Sequence, residues 1–246
     1  MKFLLIAIFF FVLSDSPPPE EVPTSTDTNF PTSWSSTKKK AADIHDDHKV
    51  TLYCGCEYTR TTTSGGEIDQ STCEFQNRPN ISNARAKRLE WEHIVPASLM
   101  PAREHDCWVN GSRSECERHG PPEIKAMIFD LHNLVPSVGQ VNADRTNYRY
   151  GEIEGDILPF GNCDFEFDRQ LKLAEPAPDV RGDVARVWFY MRDTHEVVFT
   201  PGEEAVFQAW SDADPVDEWE IERNRRVFCE QGTFNIFVSG DLFICD

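Results

Sequence analysis

The densest cluster of side chains able to do acid–base or metal chemistry is the run Glu90-Trp91-Glu92-His93. Histidine is the usual general base near neutral pH, and a carboxylate is a usual ligand for a hard divalent cation. In a strand over residues 91–95, alternation sends Glu92 and His93 to opposite faces, but both can serve one site at a strand end, which Pro96 marks. On this pattern alone, an ordinary ion pair or satisfied polar pair explains Glu92 and His93 better than a catalytic site does.

A second cluster begins at Asp130-Leu131-His132-Asn133 and leads to Asn142. Ser137 can N-cap a helix that contains Asn142. Asparagine is a poor residue for a helix interior because its side chain competes for backbone hydrogen bonds. Its presence there indicates either that its amide oxygen reaches a partner or that it is a solvated residue bonded to a neighbouring loop. The residues alone leave both readings open.

The elements that must position these clusters are mostly helices. Ile124, Met127, Ile128 and Leu131 fall on one helical face, with Pro121 and Pro122 suited to its first turn. The same spacing recurs at Val184, Val187, Trp188 and Met191, after Arg181-Gly182-Asp183. Further helices are predicted over residues 38–48 and 201–210, and strands over 50–53, 91–95 and 131–135. The pattern predicts one mixed, helix-rich α+β domain.

The N-terminal residues differ in composition from the rest of the 246-residue chain. Lys2 and the apolar run Phe3 to Leu13 predict a signal peptide over residues 1–14, an uncleaved anchor being the minority alternative. Residues 15–35 are rich in Pro, Ser and Thr and are predicted to be a linker or propeptide. The folded domain is predicted over residues 36–246.

The overall composition restricts the classes of protein. A hydrophobic content of 39% excludes a wholly disordered chain, and the net charge of −18 excludes a generally basic nucleic-acid binder, although not local basic patches. Eight cysteines, an even number, follow the export signal. Together these features predict disulfide bonds in an oxidising compartment.

Three long motifs carry a family resemblance. They are Trp91-Glu92-His93-Ile94-Val95-Pro96-Ala97, then Leu131-His132-Asn133-Leu134-Val135-Pro136, then Gly139-Gln140-Val141-Asn142-Ala143-Asp144-Arg145-Thr146-Asn147. The chain resembles the bacterial endonuclease I family, non-specific secreted or periplasmic nucleases of the ββα-metal (His-metal finger) group. The resemblance extends to Tyr53-Cys54-Gly55-Cys56, to the segment from Cys107 to Cys116, and to residues 181–186 and 217–220. The order and spacing of several motifs make it more specific than a single short motif.

The resemblance implies a role for four residues. His93 matches the general base that deprotonates the attacking water, Glu92 and Asn142 match the ligands of one divalent metal, and Arg113 matches the arginine that holds the phosphate. A carboxylate and an amide oxygen suit Mg²⁺, with Ca²⁺ or Mn²⁺ able to take its place. The fold it implies is a single α+β domain, cross-linked by disulfides and built around a ββα-metal motif.

The resemblance also implies the substrate. We expect sequence-non-specific cleavage of DNA and RNA, since contacts to phosphate and sugar carry no sequence information. The nearby basic residues that could follow the nucleic-acid backbone are Arg85, Lys87, Arg88, Arg145 and Arg149. For each of these, a solvated charged face is nearly as good an explanation. The protein is expected to be a secreted or periplasmic monomer, with no membrane partner after signal removal.

Two cysteine pairs are expected. Cys107 with Cys116 would close the loop that carries Arg113. The chain departs from the family in having Ile221 where relatives have a cysteine, and the extra Cys229 could pair with Cys245 by another route. The pairing of Cys54, Cys56, Cys73 and Cys163 stays open. On the residues themselves, Arg113 could instead be a rim arginine that pairs with Glu115 or Asp106.

Two rival functions stay open. A catalytically silent homologue could bind a partner through its acidic face, since residues 203–222 hold eight acidic side chains and no basic one. An exported metal-dependent hydrolase could act on another phosphodiester. Neither the sequence His195-Glu196-Val197-Val198-Phe199, which lacks the second histidine of a zincin motif, nor His132 is expected to be catalytic.

Overall fold

The computed structural model describes residues 28–79, 83–155, 158–240 and 243–245, and the predicted signal peptide lies outside them. The helices of the N-terminal half are α1 (Trp34–Ile44), α2 (Asn83–Ala86), α3 (Asp106–Val109), α4 (Arg113–His119), α5 (Pro122–Phe129) and α6 (Gly139–Arg145). Those that follow are α7 (Arg181–His195), α8 (Glu203–Ala213) and α9 (Glu218–Gln231). The strands are β1 (Tyr58–Arg60), β2 (Gly66–Ile68), β3 (Leu89–His93), β4 (Leu134–Val138), β5 (Arg149–Tyr150), β6 (Phe165–Asp168) and β7 (Leu173–Pro176). The α+β class is confirmed.

Strands β3 and β4 form an antiparallel pair at the centre of the motifs. Glu92 pairs with Val135 and His93 with Leu134, and β4 leads directly into α6. Gly139 stands at that junction, where a Cβ atom would lie 2.5 Å from the carbonyl oxygen of Arg85. Only glycine therefore lets the end of α2 approach the start of α6 so closely. Strands β3 and β4 and helix α6 lie side by side. This places Glu92 and His93 of β3 next to the helix that carries Asn142.

The remaining sheets are small. β1 pairs with β2, and β7 lies between β5, to which it is parallel, and β6, to which it is antiparallel. An aromatic core fills the space between α7 and α8, where Trp188 and Phe207 are fully buried with ring centroids 5.3 Å apart. Burial of such side chains contributes about 2–3 kcal/mol each. This core holds the helical layer together.

Helix α9 begins with a capping box. The Asp217 carboxylate accepts from the backbone N–H of Glu220 at 2.7 Å, and the Glu220 side chain accepts from the backbone N–H of Asp217. Two otherwise unpaired N–H groups are thereby satisfied. The Glu220 carboxylate also pairs with buried Arg186 on α7 at 2.5 Å, which ties the two helices together.

Several elements differ from the sequence prediction by a few residues. α1 begins at Trp34 rather than at residue 38, because the Ser33 hydroxyl accepts from the N–H of Ser36 and starts the helix earlier. β3 begins two residues early. β4 begins three residues late, since the Asp130 carboxylate accepts from the N–H of His132 at 2.9 Å and holds residues 131–133 in a 3-10 turn. Leu131, the last residue of the predicted apolar helical face, lies in that turn and not in α5.

Two local predictions are wrong. Residues 50–53 were expected to be a strand, but Thr51 donates to the Cys56 carbonyl and turns the chain back, with Gly55 at a φ of 63°. Ser137 was expected to cap the helix that holds Asn142. It lies instead within β4, opposite Glu90, and α6 starts after Val138 without a side-chain cap.

All eight cysteines are in disulfides. The two expected pairs, Cys107–Cys116 and Cys229–Cys245, are present. The four cysteines left open by the sequence pair as Cys54–Cys163 and Cys56–Cys73. In the described residues there is no helix with the length and apolar character needed to cross a membrane.

Candidate active site

A cleft of about 680 Å³ opens beside strand β3. Its walls include Glu92, His93, Arg113 and Asn142, which come from β3, α4 and α6. The sequence separates these residues by up to 50 positions, and the fold brings them to one cavity. The adjacent Glu92 and His93 share it because they stand at the strand end, where regular alternation stops.

The imidazole of His93 is fixed by helix α5. Its Nε2 lies 2.7 Å from the carbonyl oxygen of Ile128, one of the carbonyls in the last turn of that helix. A carbonyl only accepts hydrogen bonds, so Nε2 carries the proton and Nδ1 keeps its lone pair. Burial, with the charge of Arg113 second, lowers the pKa of His93 to about 3. The ring is therefore neutral and its Nδ1 is able to accept a proton.

Glu92 forms a buried ion pair with Arg145 of α6. The guanidinium donates to Glu92 Oε1 at 2.6 Å and also to the backbone carbonyls of His93 and Ile94. Burial raises the pKa of Glu92 to about 7, although Arg145 opposes that shift. A divalent cation beside this carboxylate would favour its ionised form. Within the described part of the chain, Arg145 bonds only one of the two oxygens.

Asn142 is oriented by a neighbour on β3. Its Nδ2 donates to Glu90 Oε2 at 3.1 Å, and Glu90 is itself held by Arg85 and Arg88. An amide whose nitrogen is fixed in this way presents its oxygen in the opposite direction. The donors that Glu92 and Asn142 offer are hard oxygens, which fit a divalent cation such as Mg²⁺.

Arg113 begins helix α4, and the Cys107–Cys116 disulfide closes the loop around it. Its Nε donates to Glu117 at 2.7 Å, so neither Glu115 nor Asp106 is its partner. The side chain is 39% exposed. Its remaining N–H groups can therefore meet a ligand in the cleft.

The basic residues expected to follow nucleic acid lie in different environments. Arg85, Lys87 and Arg88 are exposed, and the two arginines share the carboxylate of Glu90. Arg149 is less exposed and donates to Glu203 at 2.6 Å. Arg145 is 1% exposed, so it cannot belong to a surface track and acts instead on Glu92.

Sequence reasoning missed two side chains of the cleft, Trp34 and Lys38. Both were assigned away from the site, Trp34 to the linker and Lys38 to the start of a helix. The signal for Trp34 is the sequence Ser33-Trp34, a capping residue followed by the first residue of a helix. Nothing in the local sequence indicates that Trp34 stacks on His93 of β3.

His195 and His132, which are not expected to be catalytic, are both buried and hydrogen-bonded. His195 Nε2 lies 2.7 Å from Asp130 Oδ2, and His132 Nε2 lies 2.9 Å from the Thr233 carbonyl. A second cavity of about 490 Å³ is lined by His132 and by Trp219, and shares no lining residue with the cleft. The four residues singled out by the resemblance all line the cleft instead.

The cleft places a histidine beside a pair of oxygen donors, an arrangement suited to metal-assisted hydrolysis. The sequence profile of the Endonuclease I family matches residues 26–241, and the chain belongs to that family. It is an exported nuclease, secreted or periplasmic. Nucleases of this family depend on a metal.

Relatives named as nucleases match most of the chain. It is 34% identical over 195 residues to Endonuclease-1 of Buchnera aphidicola subsp. Acyrthosiphon pisum, which covers 79% of this chain and 76% of that protein. It is 35% identical over 208 residues to an extracellular deoxyribonuclease of Aeromonas hydrophila, covering 83% and 88%. A periplasmic deoxyribonuclease of the same organism is 34% identical, covering 83% and 84%.

Proposed function

We propose that the protein hydrolyses phosphodiester bonds in DNA and in RNA without sequence preference. Two of its relatives are named deoxyribonucleases, which supports DNA as a substrate. The observation that carries the proposal is the hydrogen bond from His93 to the Ile128 carbonyl, because it leaves Nδ1 as a proton acceptor in the cleft that also holds Glu92 and Asn142.

His93 is the general base. Its Nδ1 takes a proton from the water that attacks phosphorus, and the Ile128 carbonyl stabilises the imidazolium that forms. The low pKa of the free ring keeps it neutral at physiological pH, which is the form that can take up a proton. The contribution of a base of this kind is about 10²- to 10⁴-fold in rate.

Glu92 and Asn142 would hold one divalent cation through Oε2 and Oδ1. We propose Mg²⁺, with Ca²⁺ or Mn²⁺ able to replace it, since both ligands are hard oxygens. When bound, the cation neutralises charge on the phosphoryl oxygens and on the leaving 3′-oxygen. Arg145 holds Glu92 in position through Oε1, and Glu90 holds Asn142 through Nδ2, which leaves Oε2 and Oδ1 as the oxygens that would bind a cation.

Arg113 would bind a phosphoryl oxygen with the N–H groups that Glu117 does not use. A guanidinium provides charge and directed donors for phosphate at the same time. Arg85, Lys87, Arg88 and Arg149 are candidates for further phosphate contacts. Arg145 is not a candidate for such a contact, because its side chain is buried.

The catalytically silent alternative has no support in the cleft, where all four proposed residues are present.

We expect the active species to be a monomer.

The test is a cleavage assay on the oxidised, full-length exported protein. Supercoiled plasmid, single-stranded RNA and bis(p-nitrophenyl) phosphate are each incubated with Mg²⁺ and with excess chelator. We expect both nucleic acids to be cut only with metal. Asn142→Ala should raise the Mg²⁺ concentration for half-maximal rate by about 10-fold or more, whereas Asn147→Ala, a neighbouring cleft asparagine bonded to Ser98, should not. Cleavage that persists in chelator, or of the small ester alone, would contradict the proposal.

A further inference from the structure

The indole of Trp34 lies face to face with the imidazole of His93. Their ring centroids are 5.2 Å apart and the planes are inclined by 16°. Phe129 of α5 flanks the same indole at 6.2 Å. His93 is therefore held twice, by the Ile128 carbonyl at Nε2 and by the indole against its ring face. The hydrogen bond fixes one atom, and the stacked ring restricts rotation about that bond.

Trp34 also contacts the arginine of the cleft. The guanidinium carbon of Arg113 lies 5.5 Å from the centroid of the indole ring, a distance typical of a cation–π contact. On its other side Arg113 is tied to Glu117. A long, 39% exposed side chain would otherwise sample many rotamers. The indole therefore restricts both a proton acceptor and a phosphate ligand.

We propose that Trp34 is a positioning residue, whose indole sets the orientation of the His93 imidazole and of the Arg113 guanidinium. This inference rests on the proposed function of those two residues. In this proposal Trp34 takes up no proton and binds no metal, and it acts through the two side chains that it contacts. Helix α1, which begins at Trp34, thereby becomes part of the active site although it supplies no acid, base or metal ligand.

A different role for the same indole would be to stack on a base of the nucleic acid. The observed contacts favour positioning, because the ring already lies against His93 and Arg113. The two roles differ in the substrate they need. A base platform matters only for nucleic acid, while an oriented base and arginine matter for any phosphodiester.

The test compares Trp34→Leu with Trp34→Phe. Leucine keeps apolar bulk but has no ring face, and phenylalanine restores one. Trp219→Ala is the matched control, because Trp219 is also a half-buried tryptophan stacked on a histidine, His48, but lines the second cavity. For each variant kcat and KM are measured with Mg²⁺ on DNA and on bis(p-nitrophenyl) phosphate, together with the melting temperature.

We expect Trp34→Leu to lower kcat by about tenfold or more on both substrates, since small misplacements of reacting groups carry large rate losses. Trp34→Phe should stay within about threefold of the wild type. Trp219→Ala should lose no activity at a temperature where it is folded.

Three results would overturn the inference. One is an unchanged kcat in folded Trp34→Leu. Another is a rise in KM for DNA alone with the small ester unaffected, which would assign the indole to base stacking. The third is an equal loss in Trp34→Leu and Trp34→Phe. Wild-type protein that cuts neither substrate would instead remove the proposed function, and this inference with it.

Discussion

Glu92 has a structural role in addition to the proposed one as a metal ligand, and the structural role can be measured without metal. Its buried carboxylate neutralises Arg145, which is itself 1% exposed. Removing one partner of such a pair leaves an uncompensated charge. Glu92→Ala should therefore lower the free energy of unfolding, measured in urea without metal, by about 3 kcal/mol.

Asn142→Ala is the matched comparison, because Asn142 is partly exposed and its bond to Glu90 joins groups near the surface. Its loss of unfolding free energy should stay within about 1 kcal/mol. Equal losses in the two variants would show that the Glu92–Arg145 pair does not carry the stability assigned to it.

His132 gives a second prediction, on pH. It is buried, and burial is the main cause that lowers its pKa to about 4; Asp130 opposes the shift, while Arg223 and His195 add to it. The folded state then binds a proton less readily than the unfolded state, whose histidine titrates near about 6.5. The stability from neutral His132 is thus complete above that pH and is lost as pH falls towards 4.

The check is urea unfolding at a series of pH values for wild type and His132→Gln. The wild-type free energy of unfolding should fall by up to about 1 kcal/mol more per pH unit between pH 6.5 and 4 than that of the variant. Asp130, whose pKa is lowered to about 2, adds little above about pH 5, because an unfolded aspartate titrates near about 3.9, and it is present in both proteins. Parallel curves for the two proteins would contradict the assignment.

Among the elements, two disulfides are expected to differ in what their removal does to stability and to activity. The Cys107–Cys116 disulfide spans nine positions and closes the loop that carries Arg113. Cys54–Cys163 spans 109 positions and joins distant parts of the chain. Loop-closure entropy predicts losses of about 2–3 and about 4–5 kcal/mol, respectively, when each pair is replaced by serine.

The activity should follow the opposite order. Replacing Cys107 and Cys116 by serine frees Arg113 and should reduce kcat/KM on DNA by about 10-fold. The Cys54/Cys163 double variant, assayed while folded, should stay within about threefold of wild type. The opposite ranking of kcat/KM would mean that the α3–α4 loop does not position Arg113.

Local sequence predicts an element well when its signal is local. The apolar faces of α5, α7 and α8 have helical spacing, and their existence follows from it. Helix α9 was not predicted, although Asp217 and Glu220 have the spacing of a capping box. The starts of α1 and β4 depend on hydrogen bonds that the side chains of Ser33 and Asp130 accept from the backbone. Serine and aspartate side chains can accept such bonds at many positions, so the sequence alone does not fix where each element starts.

The sequence predicted the residues of the proposed site, which line one cleft, but not the residues that support them. His93, Glu92 and Asn142 stand out through motifs, and the structure brings them to one cleft. The supports lie far away in the chain or on other elements: Arg145 reaches Glu92 across 53 positions, and Trp34 reaches His93 from α1. Such pairs depend on packing, and no local pattern encodes them.

For the whole molecule, charge is distributed unevenly. The net charge is −18, yet the cleft is lined by four basic residues, Lys38, Arg88, Arg113 and Arg145, and by two acidic ones, Glu90 and Glu92. None of the eight acidic residues between positions 203 and 222 lines it. Of those eight, Glu203, Glu204, Glu220 and Glu222 pair with arginines.

We expect a net charge of −18 to repel DNA at long range and the basic residues of the cleft to attract it at short range. Salt screens the long-range part first, since the Debye length is about 10 Å at 0.1 M. We expect kcat/KM on plasmid to rise as salt is added from a low concentration, to pass through a maximum and then to fall. Bis(p-nitrophenyl) phosphate, which carries a single charge, should show little of this dependence. A rate on plasmid that falls monotonically from the lowest salt would refute the expectation.

We infer that His93 accepts the proton in metal-assisted cleavage of nucleic acid, and removal of its side chain tests this role. Supercoiled plasmid is incubated with Mg²⁺ and either wild-type protein or His93→Ala, both oxidised and both shown to be folded by thermal unfolding. We expect the variant to retain its fold and to lose about 10²-fold or more in kcat. A folded variant that cuts plasmid at the wild-type rate would contradict it.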